Sequence, residues 1–104
     1  LYIKIMEIKE FQKKIIEYVR KWDEKRGKIS DEKTTFAHLV EEVGELARQY
    51  VNKEIRKDQY DEKEIEDAIF DILVQLIRLA DLRNIDMEKL VLDSMKENEK
   101  RLGK

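Results

Sequence analysis

Cysteine and proline are both absent from this 104-residue chain, and glycine occurs only three times. Without cysteine there is no disulfide framework and no thiolate to act as nucleophile or metal ligand. Without proline, and with 44% of the residues charged, little interrupts a helix, so the composition predicts helix nearly everywhere. No apolar run approaches the ~18 residues of a membrane span, and no signal-peptide pattern is present. The expectation is a soluble, cytoplasmic protein with no membrane partner. The net charge is only -2, and Lys and Arg are spread rather than massed, which argues against binding duplex nucleic acid. Histidine occurs once, as His38, so a zinc set is missing too.

What is there reads as one small domain over residues 6–104. The first five residues, LYIKI, precede Met6 and read as either a tag remnant or an N-terminal extension. Apolar residues at helical spacing (Ile8, Phe11, Ile15, Tyr18, Val19, Trp22) place helix 1 at about Glu7 to Lys25, with Gly27 as its left-handed stop. The polar loop KISDEKT leads into helix 2, about Thr35 to Glu54. Asp61, with Glu64 three residues on, forms a capping box for helix 3, about Glu62 to Leu82. Asn84 suits a left-handed turn, and Asp86 caps helix 4, about Met87 to Arg101. Short connections make successive helices antiparallel, so the predicted fold is an all-α four-helix bundle.

Acidic residues are placed where helix burial should disfavour them. In FAHLVEEVGELARQY the apolar set Phe36, Leu39, Val40, Val43, Leu46 and Ala47 marks the face expected to be buried. At ~100° per residue, Glu42 and Glu45 fall on the border of that face, beside Glu41. Helix 3 is apolar nearly all round from Ala68 to Leu82, yet Glu64, Asp67, Asp71, Gln75 and Arg78 share one stripe. Burying Asp71 bare would cost several kcal/mol or force it to stay protonated. An antiparallel hairpin brings Glu42 and Glu45 opposite Asp67 and Asp71. Such an all-oxygen donor set suits a hard divalent cation, Mg²⁺ or Mn²⁺, which in turn carries phosphates.

Each residue also has a plainer reading. The glutamates suit a solvated face, Asp71 suits a partner for Arg78, and Asp67 suits a helix N-terminus. His38 reads as a partly buried core-edge residue. Trp22, Tyr18 and Phe36 are spaced as core residues, with Trp22 the candidate for stacking on a base.

FAHLVEEVGELARQY, then DAIFDILVQLIRLADLRNIDMEKL and MKENEKR, resembles the MazG-like family of all-α nucleoside triphosphate pyrophosphohydrolases over roughly residues 11 to 102. The family motif EExxE is matched by Glu41, Glu42 and Glu45, and the register of DILVQLIRLAD makes Asp71 the family's aspartate. The glutamate expected three residues earlier is replaced by Ala68, with Asp67 beside it. In the last helix Asn98 and Arg101 match residues that contact phosphates, while Ser94 stands in the lysine position.

The resemblance implies hydrolysis of an NTP or dNTP to the monophosphate and pyrophosphate, in a homodimer or homotetramer. It implies Glu42, Glu45, Asp71 and Asp67 as metal ligands, and Glu41 as a ligand or as the base that orients water. Asn98, Arg101 and Trp22 would bind substrate. Two alternatives stand beside it: a non-catalytic nucleotide- or partner-binding member of the fold, kept in view by Ala68, and a helical interaction module with an acidic stripe.

Overall fold

The computed structural model describes residues 6–103. They form four α-helices, α1 (Ile8–Arg26), α2 (Glu32–Ile55), α3 (Glu62–Leu82) and α4 (Met87–Arg101), with a short 3₁₀ turn at Lys57–Gln59 between α2 and α3. There is no strand among the described residues. The expectation about residues 1–5 lies outside the described residues.

Local chemistry sets the helix ends. Gly27, at φ 73°, donates its N–H to the carbonyls of Asp23 and Glu24 and stops α1. α2 starts at Glu32, three residues before the expected Thr35, because Asp31 accepts the Thr34 N–H at 2.7 Å. Asp61 caps α3 through the Lys63 N–H at 2.9 Å, but the expected capping box does not close. The Asp61 N–H goes instead to Gln49 Oε1 on α2, also at 2.9 Å. Asn84 adopts the left-handed turn (φ 56°), and Asp86 accepts the Lys89 N–H at 3.2 Å to open α4.

α2 and α3 form an antiparallel hairpin, the largest helix contact in the chain. Gln49 meets Asp61 at one end, and Arg83 donates to both Glu32 carboxylate oxygens at 3.2 Å at the other. α1 lies against the other side of α3, and α4 docks on α1. Gln12 of α1 fixes that last junction: its amide donates to the Ile85 carbonyl and accepts the Met87 N–H, both at 2.9 Å. The core is Ile15, Ile16, Val19, Val74 and Ile77, with Phe11 packed against it. α3 also buries Ala68 and Ala80. The buried Arg78 of α3 donates to Asp23 of α1, joining the two helices by an ion pair. Among the described residues Arg78 makes no hydrogen bond or ion pair with Asp71, the partner the sequence offered.

The packing of α2 corrects the sequence expectation. Phe36 (56% exposed), Val40 and Val43, expected inside, are outside, as is Ala47, and only Leu39 and Leu46 are partly covered. The side of α2 turned toward α3 runs through Thr35, Leu39, Glu42, Leu46, Gln49 and Asn52. α2 is therefore rotated so that a glutamate, not a valine, faces the central helix. Ile69, Phe70, Leu73 and Leu76 of α3 are also exposed. The radius of gyration is 16.9 Å, against about 13 Å for a compact chain of this length, so the arrangement is open.

Candidate active site

The rotation of α2 places Glu42 against α3, where it is half-buried and within hydrogen-bonding reach of the half-buried Asp71. Burial pushes the Glu42 carboxyl above its ordinary range. Repulsion from Asp71 adds to this, as do Glu45, the shared hydrogen bond with Asp71, and Glu41. Glu41, Glu42, Glu45 and Asp71 are thus one electrostatic group. Glu41 and Glu45 sit on its exposed rim.

None of these four carboxylates pairs with a Lys, Arg or His among the described residues. Other acids in the same chain do find cations: Asp23 with Arg78, Glu32 with Arg83, Asp93 with Lys89. The donor chemistry of the four suits a hard divalent cation, which would relieve their repulsion. Among the described residues, no three acidic or histidine side chains already converge tightly enough to hold a metal ion. Glu42 and Asp71 meet, and the others stand around them.

Asp67 is not brought into this group. It pairs with Lys63, one turn back on α3, at 2.9 Å, with half of its side chain exposed. Its neighbour Ala68 is the buried one of the two, 3% exposed. No carboxylate fills the position where the family resemblance expects glutamate.

Asp71 also lines a cleft of about 230 Å³ where α1, α2 and α3 meet, whose walls include Trp22, Tyr18, His38, Gln75 and Arg78. Trp22 is 40% exposed, with Lys25 Nζ and the Arg26 guanidinium each 5.3 Å from its ring centroid. Tyr18 is steadied by an edge-on contact with Phe70, 5.8 Å between centroids. His38, expected at the core edge, is exposed on the rim of this cleft. Phe36 is exposed elsewhere, beside Arg83. Asn98 and Arg101 are exposed on the last turns of α4 and lie outside the cleft.

The sequence reading missed Asp23 and the wall built by Arg78. A signal was present: Asp23 continues the apolar stripe Ile16, Val19 of helix 1 by one turn, so an acid there needs a buried cation. Arg78, inside the nearly all-apolar helix 3, is its counterpart.

The family model described as the MazG nucleotide pyrophosphohydrolase domain matches residues 30–103. Among solved structures, the crystal structure of the Bacillus-conserved MazG protein, a nucleotide pyrophosphohydrolase, is similar with a TM-score of 0.66 and 30% identity. That match covers 91% of this chain and 92% of the other. No curated protein matches. With a family model over most of its length and a solved relative over nearly all of it, the chain belongs to the MazG nucleotide pyrophosphohydrolase family.

Proposed function

We propose that the protein hydrolyses a nucleoside or deoxynucleoside triphosphate to the monophosphate and pyrophosphate, with Mg²⁺ or Mn²⁺ as cofactor. The observation that carries this reading is the set Glu41, Glu42, Glu45 and Asp71, gathered across α2 and α3 with no cation paired to it among the described residues. Charge of one sign, half-buried and uncompensated, costs stability unless something positive arrives. Glu42, Glu45 and Asp71 would hold the metal. The chemistry such a cation would supply there is charge to offset the phosphates and a lowered pKa for a water. Glu41, on the exposed rim, would orient that water and take its proton as the oxygen attacks phosphorus. The bond from that phosphorus to the bridging oxygen breaks, and pyrophosphate leaves with the electron pair. Trp22 offers a ring face at the far end of the adjoining cleft for the base. Asn98 and Arg101 remain candidates for phosphate contact, brought close by movement of α4 or by a second copy.

A second copy has its own support. The exposed surface is 8707 Å², about 2,500 Å² more than a compact monomer of this mass presents. That excess is within the range buried by obligate dimers. Much of it is apolar: Phe36, Val40 and Val43 on α2, Ile69, Leu73 and Leu76 on α3. Gly44 sits in mid-α2, where alanine would be about 1 kcal/mol better, and among the described residues a Cβ there would meet no other part of the fold within 4 Å. A neighbouring helix packing closely there would use that space. We therefore read the α2–α3 face as the contact of a homodimer or homotetramer, to be measured by light scattering of the eluted protein.

The second functional reading is a nucleotide-binding member that hydrolyses poorly, favoured by the buried Ala68. Pyrophosphate release separates the two. The protein would be incubated with Mg²⁺ and a panel of NTPs and dNTPs, with Glu42→Gln and Asp71→Asn alongside. Release that is lost in both variants supports the enzyme. No release from folded wild-type protein leaves the binding reading.

A further inference from the structure

Arg78 is buried, 7% exposed, about one turn before the end of α3. One guanidinium nitrogen, Nη2, donates to Asp23 Oδ1. No other hydrogen bond engages the group among the described residues, although a guanidinium carries five N–H donors. Its other nitrogens are not sealed in protein either: among the described residues, the sealed side-chain polar atom without a partner is Thr35 Oγ1. Arg78 lines two hollows. One is the Trp22–Asp71 cleft, and Asp23 takes no part in its wall. The other it shares with Asp23, and Val19 and Ser30 line both. Asp23 thus takes one of the guanidinium's donors, and among the described residues no acceptor takes those left to the cleft.

Along α3, Asp71, Gln75 and Arg78 follow one another at spacings of four and three, all on the cleft wall. The acid end is the place for phosphates, so the arginine end receives the base beside Trp22.

We propose that Arg78, positioned by Asp23, is the base-selecting residue, and that it takes the carbonyl edge of a keto nucleobase, of the uracil or hypoxanthine type. The inference rests on the nucleotide reading of this site. A guanidinium stays protonated and can only donate, so a carbonyl oxygen satisfies it. An exocyclic amino group in the same place sets donor against donor and leaves both unpaired. A site that loses its hydrogen bonds this way discriminates strongly, more so than one that merely loses apolar contact. Gln75 does not compete in this choice, because its amide can present either its oxygen or its nitrogen. Asp23 has the positioning role: it fixes the plane of the fork without touching the ligand.

The test reads binding apart from hydrolysis. Trp22 is the chain's one tryptophan, so its fluorescence reports on the cleft. Dissociation constants are measured for uridine against cytidine monophosphate, and for inosine against adenosine monophosphate. Wild-type protein is expected to bind the keto member of each pair at least about tenfold more tightly. Asp23→Leu combined with Arg78→Met removes both buried charges together, the change a fold tolerates best, and is expected to bring the ratio near one. Arg78→Lys keeps a cation opposite Asp23 but loses the planar fork, and should narrow the ratio as well. Asp23→Asn should narrow it less. Equal binding of each pair by wild-type protein, no quenching by any of the four, or an unchanged ratio in Arg78→Lys and the double variant would overturn the proposal. Pyrophosphate release in the same preparations tells the two readings apart. Keto preference without hydrolysis sinks the pyrophosphohydrolase and keeps the selector, whereas hydrolysis with equal binding does the reverse.

Discussion

Near its C-terminal end, helix α3 buries a charge and neutralises it in place: Arg78 is matched by Asp23 of α1, each nine-tenths covered. Two turns earlier, the same helix brings Asp71 against Glu42 of α2 with Glu41 and Glu45 around them, and no cation among the described residues answers. The two regions are about two turns apart on one rigid element. The first closes its own account of charge; the second stays open to something from outside. Folding physics alone explains a compensated pair. It gives no reason to gather four acids, and that asymmetry separates scaffold from site.

The largest effect should come from breaking the compensated side. Asp23→Ala leaves Arg78 buried and unpaired, and should cost about 3–5 kcal/mol in urea unfolding. The double variant without either charge should recover most of that, because well-packed apolar residues replace a buried ion pair at little cost. Were Asp23→Ala as stable as wild type, the α1–α3 pair would not be the closed region described.

The open side should respond in the opposite sense: activity falls while stability does not. Asp71→Asn and Glu42→Gln are each expected to lower pyrophosphate release by about 100-fold or more, since each would remove a charged ligand of the proposed metal. Without added metal, the same variants should be at least as stable as wild type. An Asp71→Asn protein that unfolds as readily as Asp23→Ala would erase the contrast between the regions.

That stability gain should depend on pH, and the direction follows from Glu42. Its carboxyl holds its proton to higher pH in the folded chain than the ordinary value near 4.5. The folded state therefore binds more protons than the unfolded one between those two points, and metal-free stability falls as pH rises through that window. Glu42 is partly solvated, so the loss is about 1 kcal/mol or less. Thermal unfolding without metal, followed from pH 4 upward, should show the decline in wild type and a flatter profile in Glu42→Gln. Added Mg²⁺ should oppose the decline at neutral pH.

The ends of the helices were legible from single residues because caps act locally. Gly27, Asp61, Asn84 and Asp86 each mark a boundary through groups a few positions away. The acids of the site were legible for a similar reason: their spacing within α2 and α3 limits which can share a face. The orientation of α2 was not. Periodicity identifies an apolar face but not what covers it, and the face through Phe36, Val40 and Val43 looks away from its own chain. The Asp23–Arg78 pair was hidden because it joins residues 55 apart in sequence, and no local rule connects them. Gln12, which ties α1 to the start of α4, escaped notice on the same grounds.

The smallest expected effect concerns Asp67, and it sharpens where the open region ends. Sequence alone allowed Asp67 to replace the carboxylate missing at Ala68. In the fold the two adjacent side chains point apart, Ala68 inward and Asp67 outward to Lys63. An exposed pair at that spacing contributes little, and salt screens it. Asp67→Asn should therefore shift the unfolding midpoint barely, and should reduce pyrophosphate release far less than Asp71→Asn. A loss equal to that of Asp71→Asn would mean that Asp67 leaves Lys63 and turns in when metal and nucleotide arrive. The acidic region would then be one turn longer than its resting arrangement, and Ala68 would be a substitution its neighbour had already compensated.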